Sequence, residues 1–209
     1  MKNFRNVSLL LLLALGLWAL FRKDKDVSAG PEKVLKKVIV GHVASMDPIH
    51  ASDVVSCNEI AKVYEGLVAY HYLKRPYELV PSLAEEMPTV SADGLVYTFK
   101  IRQDVRFHDD PCFPDGQGRE LTAADFVYSF KRLADAKLKS PLFSTIAGKI
   151  QGLDAWRKKY AKLSATDYKE EIVGLQALDK YTLQIKLVQP WPQMLYDLAY
   201  SWFSAVPRE

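Results

Sequence analysis

The spacing of apolar residues changes period along this chain, and each change predicts an element. Leu9 to Phe21 is apolar or glycine at all 13 positions, so it has no polar face. Val38-Ile39-Val40 follows a polar stretch and reads as a buried strand, with Lys36 and Lys37 at its edge. Ser45-Met46-Asp47-Pro48 predicts a turn, because a proline biases the residue before it away from helix. From Asn58 to Leu67 the apolar positions Ile60, Ala61, Val63, Tyr64 and Leu67 fall at helical spacing, and Gly66 is placed to stop the helix.

Further on, Asp93-Gly94 signals a turn between extended segments. Behind it Tyr97, Phe99 and Ile101 alternate with Thr98, Lys100 and Arg102, a period of two that turns one face to a core. The helical period returns at Thr122, where Asp125 three residues on makes an acid variant of the capping box. Phe126, Val127, Phe130 and Leu133 form that helix's buried face, and Leu153 to Leu163 predicts another helix. Ile172 to Ala177 and Tyr181 to Leu187 flank Asp179-Lys180 as a hairpin, and Pro192 opens a last helix over Gln193 to Tyr200. Strands and helices neither alternate strictly nor segregate. The fold class is α/β in the broad sense, α+β mixed.

Charge separates the leader from the body. Residues 1–29 hold Lys2, Arg5, Arg22, Lys23 and Lys25 against Asp24 and Asp26, which accounts for the whole net charge of +3. The remainder is balanced and carries no electrostatic footprint for nucleic acid. A bilayer span needs about 20 apolar residues and a signal-peptide core about 7–15, so the apolar run marks a targeting segment. Two readings of it stand. One is a signal peptide cut after Val27-Ser28-Ala29; the other is an uncleaved membrane anchor, because Arg22-Lys23-Asp24-Lys25-Asp26 separates that site from the apolar run. Both put the body outside the cytoplasm, in the periplasm or on the outer face of the cytoplasmic membrane. Cys57 and Cys112 are the only cysteines. They are expected to be unpaired thiols, and neither lies near the leader to take a lipid.

Chemistry finds little support. His42, His50, His71 and His108 form no local pair with metal-ligand spacing. His108-Asp109-Asp110 is the densest cluster and reads as a solvated loop. The chain has no nucleophile elbow, phosphate loop or dinucleotide fingerprint, so no enzyme, cofactor or metal is expected. The 11 Tyr, 9 Phe and 4 Trp are mostly core.

A resemblance covers the chain from about residue 37 onward. It rests on Pro81-Ser82-Leu83-Ala84-Glu85, Asp93-Gly94-Leu95-Val96-Tyr97-Thr98-Phe99, Val105-Arg106-Phe107-His108-Asp109 and Leu121-Thr122-Ala123-Ala124-Asp125-Phe126-Val127-Tyr128-Ser129. In that order they resemble the family 5 extracellular solute-binding proteins, the dipeptide- and oligopeptide-binding receptors of ABC importers. Ser45-Met46-Asp47-Pro48 and Tyr64-Glu65-Gly66-Leu67 fit the family's opening motifs. Asp110 to Glu120 is a longer loop than the family usually has. The resemblance implies a periplasmic-binding-protein type II fold, represented by its first lobe and extra subdomain without the second lobe. Residues 30–65 would start lobe one, 66–189 would form the subdomain, and 190–209 would return into lobe one. It also implies a peptide or other small solute as ligand and permease subunits as partners. The ligand would meet Ser52, Asp53 and Val54 at the cleft edge and Leu142 and Phe143 on its flank. A membrane-tethered remnant that binds no solute is the competing expectation.

Overall fold

The computed structural model describes Lys36 and residues 38–209, and Ile39–Glu209 form one compact unit. Its centre is an antiparallel sheet of β3 (Thr89–Val90), β4 (Val96–Lys100), β5 (Leu175–Asp179) and β6 (Thr182–Lys186), in the order β3-β4-β6-β5. The alternation read from sequence sets the register. Phe99 stands opposite Leu183 and Tyr97 opposite Ile185, while Thr98 faces Gln184 and Lys100 faces Thr182 on the other side. One face is therefore apolar and the other polar, as a sheet covered on one side requires.

The cover is helix α2 (Ala123–Ala134), with α1 (Val54–Ile60) before it and α3 (Leu153–Ala161) and α4 (Met194–Asp197) after it. The α2 start follows the predicted cap: Asp125 Oδ2 accepts from the Thr122 backbone N–H at 2.8 Å and from its hydroxyl at 2.9 Å. Phe126, Phe130 and Leu133 are buried against Phe99, Leu183 and Ile185 in one core. Fully burying side chains of this size contributes about 1.5–3 kcal/mol each.

A smaller hairpin of β1 (Val68–Tyr70) and β2 (Leu79–Pro81) stands apart from the main sheet. The long loop after β4 folds on itself: an isolated bridge joins Arg106 to Glu120, and Phe113 is buried against Phe107 at 6.2 Å. Gly118 allows this closure, since a Cβ there would lie 1.8 Å from the Phe107 carbonyl oxygen.

Three expectations are corrected. Val38, Ile39 and Val40 form no strand and are 84%, 45% and 88% exposed. An apolar triplet becomes a buried strand only with a pairing edge and a covering layer, and neither is present among the described residues. The helix expected over Asn58 to Leu67 begins earlier, at Val54, because Asp53 caps it. It also ends earlier, at Ile60, and Leu67 lies just ahead of β1. The last helix shortens to Met194–Asp197. Among the described residues no helix is long and apolar enough to cross a membrane; the apolar leader lies outside them.

Candidate functional site

Ser52, Asp53 and Val54 sit at the start of α1. The Asp53 carboxylate accepts from the Ser56 backbone N–H at 2.8 Å. Hydrogen bonding with Ser56 holds that carboxyl below its ordinary range. Asp53 thus satisfies a helix end and orients its neighbours. Ser52 is exposed, and Val54 is 75% exposed. An apolar side chain left this open beside a fixed helix end is available for contact.

Leu142 and Phe143 lie in the 3-10 turn Pro141–Thr145. Leu142 belongs to the core, while Phe143 is half-buried under the Arg157 guanidinium, 4.0 Å from its ring centre. Arg157 is itself held by a bond to the Ala134 carbonyl at 2.7 Å. The two candidate segments are tied together. The buried Ser140 hydroxyl donates to the Ile49 carbonyl at 2.6 Å, across 91 residues of sequence. Arg132 on α2 grips Asp47 with two bonds, at 3.1 and 2.8 Å. Ser56 Oγ accepts from the Ala44 and Ser45 backbone N–H groups at 3.0 and 3.3 Å. Nothing in the local spacing of these residues signals the long-range ties.

The other singled-out residues serve local structure. Asp109 accepts from the Gly118 N–H and Asp110 from the Cys112 N–H, both at 2.9 Å, so these carboxylates shape their own loop. Cys57 is half-buried and its thiol donates to the Ala51 carbonyl; Cys112 is exposed. Lys131 escaped sequence reasoning. It is 3% exposed, and its ammonium donates to the Tyr168 and Glu170 carbonyls at 2.8 and 2.7 Å. Burial pushes its pKa down.

The chain superposes on the substrate-binding domain of an oligopeptide ABC transporter from Bacillus anthracis with a TM-score of 0.63 and 28% identity, covering 79% of this chain and 28% of that one. This is part of the periplasmic-binding-protein type II fold. The family profile for bacterial extracellular solute-binding proteins, family 5 (middle region), matches residues 78–208. The chain belongs to that family. It is 31% identical over 188 residues to the periplasmic oligopeptide-binding protein OppA of Escherichia coli, covering 88% of this chain and 31% of that protein. It is 32% identical over 203 residues to the oligopeptide-binding protein AmiA of Streptococcus pneumoniae, covering 96% of this chain and 28% of that protein. The chain thus spans about a third of the length of these relatives.

Proposed function

We propose that this chain belongs to a non-catalytic, peptide-binding component of an ABC importer, working outside the cytoplasm with permease subunits as partners. Family membership and the likeness to oligopeptide-binding proteins support the class of ligand. Residues 30–65 would begin lobe one, 66–189 would form its subdomain, and 190–209 would lead back into the lobe. The basic leader with its 13-residue apolar run supports export.

The observation that carries the site is the Ser140–Ile49 bond. It joins the turn before Ser52 to the turn bearing Phe143, so two segments distant in sequence form one wall. On that wall Ser52 and Val54 meet the ligand, Asp53 fixes them by capping α1, and Phe143 offers a half-buried ring. Leu142, 8% exposed and next to that ring in the chain, completes the ligand's flank. A pentapeptide bearing a benzophenone side chain, photolysed with the full chain at millimolar concentration, tests this. Adducts are expected within residues 51–57 and 141–146. Labelling spread evenly over the surface, or confined to the far face of the sheet, would sink the assignment.

A further inference from the structure

A pocket of about 610 Å³ lies between α2, the loop around Tyr168 and Lys169, and β5. None of Ser52, Asp53, Val54, Leu142 and Phe143 lines it. Its size falls in the range of about 300–1,000 Å³ typical of small-molecule sites. Val127, Leu175 and Leu178 supply apolar surface, and Tyr128 and Tyr168 pack with ring centres 5.1 Å apart.

The charges on its walls are unequal. Asp125 and Glu209 are both engaged by Arg119, through bonds of 2.6–3.1 Å, which leaves Glu171 as the one lining carboxylate residue outside any ion pair among the described residues. Against it stand Lys131, Lys169 and Arg208, none of which takes part in an ion pair among the described residues. Lys131 is the informative member. The carboxylates of Asp167, Glu170 and Glu171 lie near enough to favour its charged form, but none comes within ion-pair distance of its ammonium. Its two carbonyl partners pin the 168–170 loop to α2 and use two of its three donors, but they do not neutralise it.

We propose that this pocket binds a small organic anion with a flat apolar body, of the aryl carboxylate class. The carboxylate would sit among Lys131, Lys169 and Arg208, and the ring would lie against Tyr128 and Leu175. A neutral analogue would lose the charge contacts, and a bare carboxylate would lose the apolar ones.

Ligand-observed saturation-transfer NMR on the full chain can separate these contributions, with benzoate, benzyl alcohol and acetate as probes. Benzoate is expected to bind at least about fivefold more tightly than either of the others. Lys169→Glu, an exposed change that leaves the core alone, should weaken benzoate at least about fivefold. Lys131→Met should abolish the preference for benzoate over benzyl alcohol. Lys100→Glu, on the polar face of the sheet away from α2, should leave benzoate binding unchanged. Equal affinity for benzoate and benzyl alcohol would overturn the proposal. So would benzoate binding that Lys169→Glu leaves intact, or that Lys100→Glu weakens as much as Lys169→Glu does.

Discussion

The stretch from Val38 to Ile60 and the layer from Thr89 to Leu187 are both rich in apolar side chains, and they dispose of them differently. In the layer, Phe99, Leu183 and Ile185 are fully buried under Phe126 and Phe130. In the earlier stretch Ile49, Ala51 and Ile60 are buried, while Val38, Val40 and Val54 stand open at 84%, 88% and 75% exposure. The difference lies in the backbone. Every strand of the layer has a paired neighbour and α2 covers the apolar face, whereas Val38 to Val40 pair with nothing among the described residues. Apolar side chains alone do not make a core; they need a paired scaffold that turns them the same way. The earlier stretch joins the same core through Ile49, is held further by polar ties, and keeps an open wall.

The sharpest way to break this comparison is to empty the layer. Phe99 is fully buried between β6 and α2, so Phe99→Ala should cost about 3–5 kcal/mol from lost transfer energy and the cavity left behind. A loss below about 1 kcal/mol in urea melts would show that the layer is not the stable part.

A smaller effect is expected from cutting a tie. Arg132 and Asp47 are both largely shielded, with side-chain exposures of 19% and 31%. Arg132→Met keeps the packed stem and removes two charge-assisted bonds, at a cost of about 1–3 kcal/mol. The loss should appear as faster exchange of amides in 44–60, with β4 and β6 unaffected. Uniform loosening of the whole chain would mean the two regions are one cooperative unit.

The smallest effect concerns pH. Bonds from the Lys180 ammonium and then from the Tyr181 hydroxyl hold the Glu120 pKa down at about 2. A depressed carboxylate contributes stability that is complete above its ordinary value near 4.5 and is lost as pH falls toward 2. Because the group is open to solvent, the contribution is small and screened by salt. Glu120→Gln should flatten the acid limb of the stability curve between pH 4.5 and 2 at low salt. An unchanged acid limb would rule out this pair as a contributor.

Much of the layer was legible in the sequence, because a period of two at Tyr97, Phe99 and Ile101 and a helical period at Phe126, Phe130 and Leu133 each point one face inward. The capping box at Thr122 and Asp125 was legible for the same reason: it is local chemistry. The start of α1 was half legible. Asp53 had the right residue type for a cap, but the apolar stripe from Ile60 to Leu67 drew the helix too far along the chain. Val38 to Val40 misled because the need for a pairing edge is not written in the triplet itself. The site was least legible. Ser140 to Ile49 and Arg132 to Asp47 are contacts across 91 and 85 residues. A single sequence does not say which distant donor meets which acceptor. The Lys131 pocket shares that limit, since its two walls come from α2 and from a loop almost 40 residues further on.

Hydrogen exchange by mass spectrometry, on the full chain with and without a millimolar pentapeptide, bears on both halves of the comparison at once. Without peptide, amides in 96–100 and 182–186 should exchange orders of magnitude more slowly than those in 38–46, as expected for core strands against open backbone. With peptide, added protection should appear in 51–57 and 141–146 and leave the strands unchanged. Equal protection of the two regions before peptide, or peptide-induced protection in the sheet in place of the wall, would contradict the account.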